Sequence, residues 1–148
     1  MVNTQPTEIK KLAMAFDKAL ENKDLEKVID NFTDDCEIEL LSIQLSGKEG
    51  ATKWFNWIYK HISEIKFLPI TIMVEGNTFF EEFKVIAKFH DGEKVQSKQA
   101  VVLEFENLKI KRLRLYFDRL DFAGSVAKDI ISKTIISELL KKSLEGLR

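Results

Sequence analysis

Apolar residues recur at helical spacing along the first third of the chain. The first repeat consists of Ile9, Leu12, Ala13, Phe16 and Leu20. Asp24 precedes a second, shorter repeat and is suited to cap the N-terminus of the helix that this repeat predicts. Because only a few residues separate the repeats, the pattern predicts a helical hairpin with one shared apolar face.

Strict alternation of apolar and polar residues replaces the helical period from Cys36 to Leu40. Turn residues at Gly76-Asn77, Asp91-Gly92 and Glu106-Asn107 divide the chain between Ile65 and Phe117 into four predicted strands, and alternation is clear in the later three. One strand face is apolar, with Phe83, Val85, Ala87, Phe89, Val101, Leu103, Phe105, Leu113, Leu115 and Phe117. The opposite face is charged, with Glu82, Lys84, Lys88, Lys98, Glu104, Arg112 and Arg114. This division predicts a curved antiparallel sheet with one buried face.

Two further amphipathic stretches complete the pattern. A third helix is predicted to follow the glycines Gly47 and Gly50. After Asp121, apolar residues at helical spacing indicate one long helix, or two broken near Ser132-Lys133-Thr134. We therefore expect a single α+β domain over 1–148 that ends in a C-terminal helical extension over 123–148. The apolar stripe of this extension is expected to be buried, either over the cone mouth or across a dimer, because such a helix is unstable alone in water.

Composition and charge narrow the function classes. The 23 basic and 24 acidic residues leave a net charge of −1, and no basic stripe indicates nucleic-acid binding. Cys36 is the only cysteine, so neither an intramolecular disulfide nor a cysteine metal cluster can form. The segment Met1–Pro6 lacks the pattern of a secretory signal, and no apolar run reaches the roughly 20 residues of a membrane helix. We expect a cytoplasmic protein that does not contact membranes.

The order and local sequence of these elements resemble the SnoaL-like branch of the nuclear-transport-factor-2-like superfamily. The run Ala19–Cys36 is similar to the family's opening helix pair, and Gly47–Ala51 to its glycine-started third helix. Ile110–Phe122 is similar to the closing strand of SnoaL-like cyclases and limonene epoxide hydrolases. The resemblance implies a cone-shaped α+β barrel in which a curved sheet wraps the N-terminal helices around a pocket. It also implies a homodimer through the outer sheet face, with cross-subunit pairs by residues such as Lys84 and Arg114.

The resemblance also shows which chemistry the chain lacks. Leu40, Phe16 and Leu103 occupy the positions of the ketosteroid-isomerase base, tyrosine and protonated aspartate, and none can transfer a proton. Epoxide hydrolases use an Arg-x-Asp pair on a middle strand, where this chain offers only Glu82 and Lys84. That pair is more simply a solvated strand face.

The remaining acid of these families matches Asp118, which leaves two functions open. As a general acid/base assisted by Tyr116 or Gln99, Asp118 would serve a cofactor-independent cyclase, isomerase or hydrolase. If Asp118 only ends the strand, the protein is instead a non-catalytic module that binds a small, largely apolar molecule. Alternation points Asp118 away from the apolar face, so the first role requires a bulge in the closing strand. If the strand bulges, Asp118 joins Ser97 and Gln99, the polar residues on the apolar face.

Few other residues are candidates for a binding or catalytic role. Trp54, Trp57 and Leu103 are expected near the pocket. His61 and His90 lack the spacing of metal ligands, so no metal is expected. Cys36 has no basic neighbour in the sequence and is expected to be an inert buried thiol. The chain has no glycine-rich phosphate loop, so no nucleotide or other cofactor is expected.

Overall fold

The computed structural model describes residues 5–148. Residues 1–4, which belong to the Met1–Pro6 segment considered above, lie outside this range. The helices are α1 (Gln5–Glu21), α2 (Leu25–Asp30), α3 (Gly47–His61), α4 (Leu120–Val126) and α5 (Ile130–Ser143). The strands are β1 (Phe32–Leu40), β2 (Ile43–Ser46), β3 (Ile62–Glu75), β4 (Thr78–Phe89), β5 (Lys94–Glu106) and β6 (Lys109–Tyr116).

The six strands form one curved, unclosed sheet in the order β2-β1-β6-β5-β4-β3. The long strands β3 to β6 form an antiparallel meander, as the turn residues predict. Strand β1 joins its far side parallel to β6, with Ile38 opposite Leu113. The sheet is therefore mixed rather than fully antiparallel, because the chain passes through α3 before the meander begins.

The predicted α+β cone is confirmed. Helix α1 packs on β3 and β4, whereas α3 packs mainly on β1. The helices meet through aromatic rings, with Phe16 edge-on to Phe32 at 5.5 Å and to Phe55 at 6.1 Å between centroids. Asp24 caps α2 by accepting a hydrogen bond from the Lys27 N–H at 3.2 Å, as its sequence position predicts.

Parts of the predicted connections were wrong. Strand β2 was not predicted, and β3 begins at Ile62 rather than at Ile65 because it follows α3 directly. The C-terminal stretch is broken at residues 127–129, earlier than Ser132-Lys133-Thr134, where Asp129 caps the second helix by accepting from the Ser132 N–H at 2.8 Å.

The apolar stripe of the C-terminal extension is not buried within the chain. Ser125 and Ala127, at the end of α4, are buried, and Phe122 packs against the core. In α5, by contrast, no residue is buried, and Ile130 is 83% exposed. Packing of this stripe over the cone mouth is therefore contradicted for the single chain.

Charged residues on the outer sheet face pair within the chain. Arg112 bonds Glu37 at 3.0 Å, and Arg114 bonds Glu104 at 2.8 Å between nitrogen and oxygen. Lys84 lies directly opposite Lys98 on the same face. Adjacent like charges on a sheet are unfavourable unless an acid lies between them.

Candidate functional site

A row of polar groups crosses the otherwise apolar inner face of the sheet at β5. Gln99 Nε2 donates to Ser97 Oγ at 3.3 Å, and Ser97 Oγ donates to Asp121 Oδ2 at 2.7 Å. Ser97 is buried, and Asp121 reaches it from the first turn of α4. Ser97 and Gln99 alternate with outward residues in the same register as Val101 and Leu103. Strand alternation therefore positions both groups inside the cone, as predicted.

A pair of carboxyl groups lies further along the same inner face. Glu81, on β4, is only 1% exposed, and Asp17, on α1, is partly buried and forms a hydrogen bond with it. Glu81 is paired with Val101, two residues from Gln99 on β5. Diagonal neighbours on a sheet face lie about 7–8 Å apart, which is within reach of long side chains. The carboxyl pair and the Gln99–Ser97–Asp121 chain thus form one polar row, which we call the inner polar row.

Burial changes the protonation of the carboxyl pair. Removal from water, followed by repulsion from Glu81, the hydrogen bond with it and repulsion from Glu21, raises the pKa of Asp17 to about 9. Burial also raises the pKa of Glu81, while the hydrogen bond with Asp17 lowers it. The two groups are so close that both cannot ionise easily. A hydrogen bond between two carboxyl groups requires a proton, so the pair carries at most one negative charge.

Glu81 also has an oxygen without a partner. Its Oε2 is buried and accepts no hydrogen bond among the described residues. In residues 5–148, no ion pair includes Asp17, Glu21 or Glu81. Glu21 instead accepts a hydrogen bond from the Phe67 N–H on β3 at 2.9 Å. Any negative charge on the pair therefore has no counter-charge among the ion pairs of the described residues.

Sequence reasoning missed the carboxyl pair, although a signal was available. Glu81 has the same strand parity as Phe83 and Val85, so simple alternation places it on the apolar face. The sequence analysis considered only Glu82 and Lys84, which lie on the other face. Asp17 is harder to find, because it follows Phe16 at the border of the apolar stripe of α1.

The structure places Asp118 and Tyr116 away from the inner polar row. Asp118 lies beyond the end of β6, is exposed, and accepts a hydrogen bond from the Leu120 N–H at 2.8 Å. The inward position that a catalytic role requires is not adopted. Tyr116 is 49% exposed and pairs with Ala100, two residues along β6 from Arg114 on the outer face.

The other predicted pocket residues are dispersed. Leu103 is buried on the inner face, in the core. Trp54 packs on Phe55, with ring centroids 4.6 Å apart, whereas Trp57 is 58% exposed and lies against His61. Of the predicted ligand-binding residues, only Gln99 and Leu103 share the inner sheet face.

Cys36, His61 and His90 are the residues for which the sequence predicts neither catalysis nor metal binding. Cys36 is fully buried, and burial raises the pKa of its thiol. His61 and His90 are exposed, and His90 Nε2 lies 3.4 Å from the Tyr59 carbonyl oxygen. Within residues 5–148, no group of three His, Cys, Asp or Glu side chains could hold a metal ion. No described helix is long and apolar enough to cross a membrane.

Two clefts open on the surface rather than at the inner polar row. One, of about 610 Å³, is lined by Asn77, Glu104 and Arg112 among others. The other, of about 480 Å³, is lined by Lys18, Asn22 and Lys109 among others. Neither cleft is lined by a residue of the inner polar row.

Comparison with protein families decides the classification. The model of the SnoaL-like domain family matches residues 13–113, more than half of the chain. The chain belongs to the SnoaL-like domain family. The match begins within α1 and ends within β6, so it includes Asp17, Glu81, Ser97 and Gln99. No curated protein sequence matches the chain.

Solved structures of this SnoaL-like protein's fold include two candidate polyketide cyclases. One, from Xanthomonas campestris, has a TM-score of 0.77 at 12% identity and covers 84% of this chain and 100% of its own. The other, from Jannaschia sp., has a TM-score of 0.75 at 11% identity and covers 87% and 98%. An NTF2-like protein of unknown function from Burkholderia pseudomallei has a TM-score of 0.69 at 16% identity and covers 75% and 91%. At these identities the similarity shows the fold alone.

Proposed function

We propose that this SnoaL-like protein binds a small, largely apolar molecule inside the cone. The observation that supports this most is the hydrogen-bonded chain from Gln99 through Ser97 to Asp121 on the inner face. Ligand sites are mostly apolar, with a few convergent polar groups that orient the ligand. Asp121 accepts from Ser97, which fixes the Ser97 hydroxyl, and Ser97 in turn holds the amide of Gln99. The Gln99 amide oxygen then remains to accept a hydrogen bond from a ligand.

The residues at the catalytic positions of the fold favour ligand binding over its known chemistry. The base and oxyanion positions carry Leu40, Phe16 and Leu103, all of which are buried in the core. Aromatic rings of α1, β1 and α3 occupy much of the space between the helices and the sheet. An aromatic interior provides contacts for an apolar ligand, and none of the three catalytic positions of the family carries a group that could transfer a proton.

The experiment compares two glutamines on one strand. Gln99 lies on the inner face and Gln96 is exposed on the outer face. Binding of naphthols, hydroxyanthraquinones and medium-chain alcohols and ketones is measured by thermal shift and calorimetry. We expect Gln99→Leu to weaken binding about tenfold, the value of one buried hydrogen bond, and Gln96→Leu to leave it unchanged. Equal affinity in both variants and the parent protein would reject this site.

We also propose that the protein forms a homodimer through the outer sheet face. Phe80 lies between Met73 and Val102 on this face, so an apolar strip crosses three strands. Met73 is 58% exposed in the single chain. An acid from a second copy would separate the adjacent charges of Lys84 and Lys98.

A further inference from the structure

The unpartnered oxygen of Glu81 requires a donor that residues 5–148 do not supply. Glu81 is 1% exposed, and its Oε2 accepts no hydrogen bond within the described part of the chain. A buried carboxylate that has one oxygen unpaired and no counter-charge is unfavourable. Such an atom in a folded protein requires an explanation, for which a bound water or ion and a catalytic role are the general candidates.

The charge of the carboxyl pair indicates which kind of ligand fits. The hydrogen bond between Asp17 and Glu81 requires a proton, which leaves at most a single negative charge on the pair. A monocation would make the buried assembly neutral, whereas a divalent metal would require the proton to leave and would find only two carboxylates. Hard divalent cations take six or more oxygen ligands. A monocation that carries an N–H group supplies both the missing charge and the missing donor.

We propose that the Asp17–Glu81 pair is the subsite for an organic ammonium group, and that the ligand of the cone is a small apolar amine. This rests on the proposed function, because it specifies the ligand class of the same interior. The ammonium donates to Glu81 Oε2, and the apolar part of the amine extends along the inner face toward Gln99. Asp17 is only partly buried, so the Asp17 side of the pair lies nearest to solvent.

The surroundings of Glu81 suit an ammonium group. On β4 its inner-face neighbours are the buried rings of Phe79 and Phe83. The facing partners are Ile72 on β3 and Val101 on β5, neither of which carries a charge. On α1 the only other titratable group that acts on Asp17 is Glu21, which is also acidic. Aromatic and acidic groups together favour a cation, and no basic side chain competes for Glu81 in the ion pairs of the described residues.

The first test compares matched amines and alcohols by calorimetry at pH 7. Propylamine and benzylamine are cations at this pH, whereas 1-propanol and benzyl alcohol have similar shapes without the charge. We expect each amine to bind at least about tenfold more tightly than its alcohol, because hydrogen bonds to charged groups are worth about 1.5–3 kcal/mol. Equal binding of amine and alcohol would overturn the proposal.

Two variants on β4 assign the preference to a residue. Glu81→Gln keeps the side-chain shape and removes the charge, and we expect it to lose at least about tenfold of the amine preference. Glu82→Gln is the control, since Glu82 lies on the outer face, where it accepts from Thr71 Oγ1 at 3.2 Å. An unchanged preference in Glu81→Gln would overturn the proposal and leave a buried water as the donor to Oε2.

A measurement on the unmodified protein covers the case in which Glu81→Gln does not fold. Trimethylbenzylammonium keeps the charge of benzylamine but has no N–H donor, so we expect it to bind several-fold more weakly. Equal or tighter binding would overturn the donor role of the ligand.

Gln99→Leu separates the two proposals. If Gln99→Leu weakens binding of both amines and alcohols while Glu81→Gln changes nothing, the proposed function stands and the ammonium subsite fails.

Discussion

Asp17 on α1 and Glu81 on β4 meet across the helix–sheet interface, and burial together with the Glu81 carboxyl raises the pKa of Asp17 to about 9. No basic side chain pairs with either residue among the ion pairs of residues 5–148. Fold stability alone does not favour such an arrangement, because an apolar pair of similar volume is often at least as stable as buried charge. The pair therefore makes testable contributions to stability as well as to binding.

The first prediction concerns pH. The Asp17 carboxyl has a higher pKa in the folded chain than the ordinary value of roughly 3.9 in the unfolded chain. Between these two values the folded state holds a proton that the unfolded state has lost. The free energy of unfolding should therefore fall as pH rises from about 4 to about 9, by up to about 1.4 kcal/mol per pH unit.

Urea unfolding at several pH values checks this dependence, with Asp17→Asn as the variant. Asparagine keeps the shape and cannot lose a proton, so we expect its stability to vary much less with pH in this window. Exposed pairs such as Asp91–Lys128 lower the pKa of the acid, so their contribution is lost only as pH falls through acidic values. These exposed pairs therefore do not cause a loss of stability as pH rises from about 4 to about 9. The same slope in Asp17→Asn and the parent chain would contradict the assignment.

A second prediction follows from the cost of burying Glu81. Glu81→Leu replaces the buried carboxyl by an apolar side chain on an apolar face, while burial, the largest cause of the raised pKa of Asp17, remains. We expect the free energy of unfolding to increase by about 1–3 kcal/mol, in line with replacements of buried charge elsewhere. Phe83→Leu, two residues along the same face, is the control and should decrease stability, since it removes packed volume. A clear loss of stability in Glu81→Leu would show that the carboxyl stabilises the fold.

The sequence predicts the cone well because periodicity alone defines its walls. Alternation assigns Val85 and Leu103 to the core and Arg114 to the outer face, and the structure agrees. Alternation predicts the candidate site less well than the fold, because the site consists of residues from distant segments of the chain. Nothing local in the sequence reveals that Asp17 meets Glu81, 64 residues later, since helix packing on the sheet brings them together. Alternation does place Asp118 away from the apolar face, but the absence of a bulge that turns it inward depends on the end of β6 and the start of α4.

The third prediction separates the two C-terminal helices. Truncation after Asp129 removes α5, which buries no residue in the single chain, so we expect the isolated chain to melt at nearly the parent temperature. Truncation after Gly124 also removes the buried Ser125 and Ala127 and the Lys128–Asp91 ion pair of 2.8 Å. This shorter chain should lose several degrees in Tm, because about 1 kcal/mol shifts the Tm of a chain of this size by roughly 2–8 °C. Equal melting of the two truncations would contradict the packing of α4.

The fourth prediction tests the proposed homodimer. Light scattering at tens of micromolar should give twice the mass of the chain, and Phe80→Glu should give a monomer because it places a charge in the apolar strip of the outer face. Leu108→Glu is the control, since Leu108 is 48% exposed in the turn between β5 and β6. A monomeric parent chain would exclude the dimer. If only the truncation after Asp129 gives a monomer, the exposed stripe of α5 rather than the sheet forms the interface.

The last prediction concerns Asp118, the acid on which the catalytic alternative depends. Its carboxylate is exposed and accepts a hydrogen bond from the Leu120 N–H at 2.8 Å, at the start of α4. Replacing a side chain that satisfies a free N–H at a helix start costs about 0.5–2 kcal/mol, so Asp118→Ala should lower stability by this amount. Asp118→Asn keeps an oxygen acceptor and should lose less. Because Asp118 lies outside the inner polar row, neither variant should change the affinity for amines or for hydroxylated aromatic ligands. Calorimetry and urea unfolding of both variants check these outcomes, with Gln99→Leu as the variant that should weaken binding. If the parent chain converts any of these ligands and Asp118→Asn abolishes the conversion without loss of fold or affinity, Asp118 is the acid/base and the protein is an enzyme.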